Sequence, residues 1–128
     1  MAQDDTNPRT FTVSAWRNGK LGPSGTGYGL KVRSKDRDAF FVREWDSIYL
    51  HLDREPADEI IEVNIDKNSM WHGNCRELIH KNIGAWLMDN NLAPWEWRDN
   101  PKNITVEWIK DRNFKVWRPS PRQGIPVD

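Results

Sequence analysis

Residues 47–65 read 47-SIYLHLDREPADEIIEVNI-65, two largely apolar segments on either side of a polar turn. Segments 47–52 and 59–65 have the length and composition of β-strands, and the turn between them contains Pro56. This stretch therefore predicts two consecutive strands with a short connection.

Two further strands are predicted upstream of this pair. Residues 10–16 and 27–33 alternate polar and apolar side chains, as half-buried strands do. Ser34 can then cap a short helix over residues 35–45, which has acidic residues in its first turn. The second strand divides into an apolar set, Tyr28, Leu30 and Val32, and a basic set, Lys31 and Arg33.

Downstream, residues 75–91 predict a second helix, because apolar residues recur there at helical spacing. Residues 104–109 and 113–116 predict a hairpin around residues 110–112. Strands outnumber helices and connections are short. The predicted fold is therefore β-rich α+β: a mostly antiparallel, open pseudobarrel of about seven strands with two inserted helices.

The 128 residues suit one domain, predicted over residues 10–118, between an N-terminal tail (1–9) and a proline-rich tail or linker (119–128). The single cysteine excludes an intrachain disulfide framework. No apolar run is long enough for a membrane helix, and residues 1–10 lack the features of a signal peptide. We expect a cytoplasmic protein with no membrane partner.

The formal net charge is zero, but charge is distributed unevenly. Residues 9–35 contain six basic and no acidic residues, residues 36–62 nine acidic and three basic, and residues 100–128 six basic and three acidic. A basic face opposite an acidic one is typical of a protein with a directed anionic partner. Ordinary surface charge explains the same pattern about equally well.

No motif in the sequence predicts an enzyme, a metal site or a cofactor. The glycine-rich stretch 22-GPSGTGYG-29 matches neither a phosphate-binding loop nor a dinucleotide motif, and it leads into a strand. His72, Cys75 and His80 lack a fourth metal ligand, and their spacing alone does not make a Cys–His nucleophile.

Several segments occur in an order that resembles a known family: 30-LKVRSKDRDAFF-41, the strands at 47–52 and 59–65, 71-WHGNCRELI-79, 83-IGAWLMDNNLAP-94 and the final hairpin. Over about residues 10–118 the sequence resembles the DNA-binding pseudobarrel shared by plant B-three transcription factors and the effector-binding domain of EcoRII-type restriction endonucleases. The resemblance implies a sequence-specific double-stranded DNA-binding domain. It further implies the recognition module of a restriction endonuclease, with a nuclease domain following in a longer chain.

Members of that family grip the major groove with two loop arms. The first arm maps onto residues 17–29 and the second onto residues 66–76. The implied DNA-binding residues are Arg17, Asn18, Lys20, Ser24 and Thr26 in the first arm, Lys31, Arg33 and Lys35 beyond it, and Asp66, Lys67, Asn68, Ser69, Trp71, His72, Asn74 and Arg76 in the second.

The side chains of both arms have suitable chemistry in their own right. Arginine and lysine donate to guanine, asparagine pairs with adenine, and aspartate accepts from cytosine. Base reading is expected of Arg17, Lys20, Arg76, Asn18, Asn68, Asn74 and Asp66, and phosphate contact of Lys31, Arg33, Lys35 and Lys67.

Two alternatives stay open from the sequence. One is a related barrel that binds RNA or a modified base by stacking on Trp71, Trp95 or Trp97. The other is a protein-interaction module whose acidic residues 53–62 contact a basic partner.

Overall fold

The computed structural model describes residues 9–17, 27–73, 76–93 and 102–119. They form seven strands and three helices. The strands are β1 (Thr10–Arg17), β2 (Tyr28–Lys31), β3 (Ser47–Leu52), β4 (Glu59–Asn64), β5 (Glu77–Ile79), β6 (Asn103–Lys110) and β7 (Asn113–Val116). The helices are α1 (Ser34–Phe40), α2 (Asn68–Trp71) and α3 (Lys81–Asp89).

All seven strands belong to one sheet, in the order β4-β3-β7-β6-β1-β2-β5. The sheet curls until its two edge strands, β4 and β5, contact each other, so that it is a nearly closed barrel. The predicted β-rich α+β class and the number of strands are confirmed.

The sheet is mixed, and the expectation of a mostly antiparallel sheet is wrong. β3 and β7 pair in parallel, with Leu50 opposite Phe114, while the other neighbouring strands are antiparallel. A parallel pair needs a long crossover connection. Here that crossover is the whole chain between β3 and β7, which a strand-by-strand pattern does not reveal.

The core fills the inside of the barrel. The alternation predicted for 27–33 is confirmed, because Tyr28, Leu30 and Val32 are buried while Lys31 is half-buried and Arg33 exposed. One aromatic cluster packs Phe41 edge-on against Phe114 at 5.4 Å between ring centroids.

The second predicted helix begins later than expected. Residues 75–91 were expected to be helical throughout, but Glu77–Ile79 is strand β5 and the helix starts at Lys81. Leu78 pairs with Leu30, which gives β2 a second neighbour. The His80 side chain then accepts a hydrogen bond from the Asn82 N–H and caps the helix.

Two other helix predictions need correction. α1 ends at Phe40 rather than residue 45, because Phe41 is extended and buried in the core. Ser34 is its first residue and not its cap; Arg33 holds the cap position. The short α2 was not predicted, so the described residues contain three helices where two were expected.

The predicted tails, residues 1–9 and 119–128, lie outside the described residues except for Arg9 and Pro119.

Candidate nucleic-acid interface

Polar side chains lie on the outer surface of β1, β2 and β6, together with Trp16 on β1 and Glu107 on β6. On β1, Val13 and Ala15 face the core, so the alternating residues Thr12 and Ser14 face outward. Ser14 pairs with Lys31 on one side and Asn103 on the other. We call the outward residues Thr12, Ser14, Lys31, Asn103 and Thr105 the polar sheet face.

The two predicted arms join the sheet at opposite ends of β2. The first arm leaves β1 at Arg17 and returns at Tyr28, the first residue of β2. The second arm joins β5 at Glu77, which pairs with Lys31, the last residue of β2. Four strand residues span about 10 Å, close to the roughly 12 Å width of the DNA major groove.

Most of the first arm lies outside the described residues, including Asn18, Lys20, Ser24 and Thr26. Arg17, at its base, is half-buried. Gly29 fixes the packing there, because a Cβ at this position would lie 2.7 Å from the Leu78 carbonyl oxygen and 3.3 Å from the Trp16 ring. The arm therefore starts from a tightly packed three-strand base.

The second arm is a folded segment around α2. The Arg76 guanidinium donates through Nε to the Val32 carbonyl at 2.8 Å and through a terminal nitrogen to the Gly73 carbonyl at 3.3 Å. These bonds hold the base of the arm to the end of β2. Arg76, expected to read guanine, is occupied by the protein's own backbone.

Lys67 is held in a similar way. Its ammonium donates to the Glu77 carbonyl oxygen at 2.6 Å. Burial lowers the pKa of Lys67 from its ordinary value, and the charge of Glu77 opposes the shift. Lys67, expected to contact phosphate, instead ties the start of the second arm to β5.

Trp71 is also integrated into the fold. Its indole N–H donates to the Ile65 carbonyl at 2.9 Å, and the Arg37 and Arg43 guanidinium groups each lie 5.6 Å from its ring centroid. Arg43 also lies 2.7 Å from His72 Nε2. The Trp71 ring is therefore half-buried, with its N–H engaged within the fold and two guanidinium groups close to it.

The remaining predicted residues of the second arm are at or near its surface. Asp66, Asn68 and His72 are exposed and Ser69 is half-buried, whereas Asn74 lies outside the described residues. Asn68 opens α2, and its carbonyl accepts the His72 N–H at 2.8 Å. The side chains of this arm that can reach a ligand are thus mainly Asp66 and Asn68.

Of the three basic residues that follow the first arm, Arg33 pairs with Asp36 at 2.8 Å. Within the described part of the chain, Lys31 and Lys35 have no ion-pair partner. Lys31 is half-buried on the polar sheet face and Lys35 is exposed on α1. An unpaired lysine is a point charge that a phosphate can bind.

A groove beside the polar sheet face was not foreseen from the sequence. It has a volume of about 1030 Å³ and lies between α1 and the outer side of β1 and β6. Its lining includes Arg9, Arg33, Lys35, Phe40, Trp45 and Trp108. We call it the α1–β6 groove. Only Arg33 and Lys35 among these residues were candidates, and the groove itself forms only when α1 meets β1 and β6, which lie far apart in the sequence.

The acidic region 53–62 pairs with cations of its own chain. Arg54 lies 2.8 Å from Glu59, and Lys115 lies 3.0 Å from Asp58. Burial raises the pKa of Asp53, but hydrogen bonds and charge from Arg118, with the charge of Lys115, hold it below its usual value. Little unpaired negative charge remains there for a basic partner.

The histidines considered as metal ligands have separate roles. His72 contacts Arg43, His80 caps α3, and Cys75 lies outside the described residues. No group of three or more His, Cys, Asp or Glu side chains suited to a metal ion occurs in the described ranges. In the same ranges, no helix has the length and apolar character needed to cross a membrane.

Comparison of the chain with protein-family models, with curated proteins and with solved structures gives no match.

Proposed function

We propose that this chain is a sequence-specific double-stranded DNA-binding domain that places the polar sheet face and the two arms against the major groove. The observation that carries the proposal is the position of the arms. They attach at opposite ends of β2, and the outward surface around β2 carries Ser14 and Lys31 beside the half-buried Trp16 and the exposed Ile79.

The chemistry of this surface suits a duplex. Hydroxyl and amide groups donate to phosphate oxygens, and they both donate to and accept from base edges, while short side chains let the backbone approach. Lys31 and Lys35 supply positive charge not already engaged by an acid of the described chain. An unneutralised cation gains more from a phosphate than one already paired.

The roles proposed here for individual residues differ from those expected from the sequence. Arg76 and Lys67 bond to backbone carbonyls, so their loss acts through the conformation of the second arm. Phosphate contact passes to Lys31 and Lys35. Base reading belongs to the first arm, residues 17–29, and to the exposed Asp66 and Asn68.

The resemblance to the B-three and EcoRII-type pseudobarrel supports the same proposal and extends it. The chain would then be the recognition module of a restriction endonuclease whose nuclease domain lies elsewhere in a longer protein. Catalysis would belong to that domain.

The experiment is a duplex-binding titration of the whole chain by fluorescence anisotropy, repeated over a range of salt concentrations. Counterion release predicts that log K falls linearly with log salt, by about 0.9 for each phosphate contacted. The same oligonucleotide as a single strand should bind more weakly. Equal binding of strand and duplex would reject the major-groove geometry.

A further inference from the structure

We propose that the α1–β6 groove binds a nucleoside phosphate, with the base against its aromatic side chains and the phosphate at its basic rim. The proposal goes beyond duplex binding and does not rest on it. The groove adjoins the polar sheet face and shares Thr12 and Thr105 with it, and Lys35 also lines the groove, whereas Lys31 does not.

Two aromatic side chains that line the groove, Trp108 and Phe40, are candidates to contact the base. Trp108 is half-buried on β6, and its indole N–H is satisfied by the Asp111 carbonyl at 2.9 Å. Phe40 is half-buried on α1 and stacks on Phe11 at 4.7 Å between ring centroids. Each ring is thus fixed by the fold and still partly accessible, which is what base stacking requires.

The rim is basic. The Arg9 guanidinium lies 4.7 Å from the Trp108 ring centroid and donates to the Ile109 carbonyl. Lys35 lies on the α1 side of the groove. A phosphate between them can meet a fork of N–H donors and a point charge, while Arg9 stays above the ring that holds the base.

Two acids line the groove, and one of them is neutralised. Asp36 is buried, at 7 % exposed, and pairs with Arg33 at 2.8 Å. Asp111 lies in the β6–β7 turn, where its backbone carbonyl accepts the Trp108 N–H, and its exposed carboxylate has no ion pair among the described residues. Arg9 and Lys35 outweigh this one unpaired acid and are the cations that meet a ligand.

The floor supplies polar groups. Thr12 and Thr105 pair across β1 and β6 and belong to the groove lining. Their hydroxyls can donate to or accept from a base edge or a sugar. An aromatic wall, a hydroxyl floor and a cationic rim together match the three parts of a nucleotide, and the volume is at the upper end of the range for ligand sites.

The test is calorimetry and NMR titration of the whole chain with nucleoside 5′-monophosphates, the matching nucleosides, inorganic phosphate and short single-stranded oligonucleotides. The monophosphate should bind at least about tenfold more tightly than the nucleoside or phosphate alone. If a single strand binds more tightly than the monophosphate, the natural source is a strand; if not, it is the free nucleotide. Absence of binding by both, or equal binding of phosphate and monophosphate, would overturn the proposal.

Ala39→Phe tests the location. Ala39 is exposed on α1 and lines the groove, so a ring placed there should fill it and abolish binding. The matched control is Ala57→Phe, at an exposed position in the β3–β4 connection at the other end of the barrel. Unchanged nucleotide binding in a folded Ala39→Phe variant would show that the site lies elsewhere.

Two further variants test the chemistry. Trp108→Ala should weaken nucleotide binding between about 5-fold and 100-fold, while Trp108→Phe, which retains a ring, should recover most of it. Arg9→Ala should remove most of the preference for the monophosphate over the nucleoside. The surface control Lys81→Ala should not. Similar nucleotide affinity in Trp108→Ala, Trp108→Phe and the wild type would exclude stacking.

Discussion

Arg76 and Val32 hydrogen-bond to each other twice. The Val32 N–H donates to the Arg76 carbonyl at 2.8 Å, and the Arg76 side chain donates through Nε to the Val32 carbonyl at 2.8 Å. The pair continues the β2–β5 ladder by one residue and closes the base of the second arm. Arg76 therefore has a structural role at the edge of the proposed interface.

The first prediction concerns Arg76→Ala. The variant should lower the free energy of unfolding by about 1–3 kcal/mol, because hydrogen bonds from a charged group to buried carbonyls are lost. Chemical denaturation followed by circular dichroism measures the change. The control is Lys81→Ala, an exposed lysine at the start of α3 with no ion pair among the described residues, which should change stability by under about 0.5 kcal/mol. Equal losses in the two variants would contradict the structural role.

Parts of the fold follow from local pattern. The strands in residues 27–33 and 47–65 can be predicted locally. In a strand every second side chain faces the same side, so the sequence alone carries the pattern. The local pattern does not identify β5, because Leu78 fits the apolar stripe of the following helix as well as it fits a strand. Only its pairing with Leu30, in the tertiary structure, decides between the two.

The candidate site is harder to predict from the sequence than the strands are. The local sequence does not show whether the Arg76 side chain bonds to the protein's own backbone or is free to bind DNA. The α1–β6 groove brings Arg9 next to Trp108 across 99 positions, which no local pattern encodes.

The second prediction concerns Gly29→Ala. The added methyl group would lie 2.7 Å from the Leu78 carbonyl oxygen, which is backbone and cannot rotate away. The variant should lose about 1–3 kcal/mol of stability as the β2–β5 pairing shifts. Thermal unfolding measures this loss, with Ser14→Ala on neighbouring β1 as control. Stability equal to that of the control would show that β5 is not held in this register.

The third prediction concerns pH. The pKa of Asp53 lies below its usual value in the folded chain, so its contribution to stability is complete above about pH 4. It is lost as pH falls through the folded pKa. Asp53→Asn should therefore cost about 1–3 kcal/mol at pH 7 and progressively less below pH 4.

Denaturation of both proteins across pH 2–7 provides the measurement. Asp38→Asn is the control, because the Asp38 side chain is 64 % exposed and its ion pair lies at the surface. A difference between Asp53→Asn and the wild type that did not change with pH would contradict the role of the carboxylate charge.

The fourth prediction separates phosphate contact from base reading. Lys31→Ala and Lys35→Ala should each reduce the magnitude of the salt slope for duplex binding by about 0.9. Both should weaken all duplex sequences alike, because phosphate contacts carry no sequence information. Lys110→Ala is the control and should leave the slope unchanged, because Lys110 is exposed at the end of β6, beyond the residues that pair with β1. A change in preference between sequences in either test variant would assign that lysine to base reading instead.

The central claim is that this chain reads DNA sequence, and selection from randomised duplexes tests it most directly. At about 0.1 M salt the Debye length is about 10 Å, so distant charges contribute little to retention. We predict enrichment of one motif of a few base pairs. Retention without enrichment would contradict sequence reading, and failure to retain any duplex would contradict DNA binding altogether.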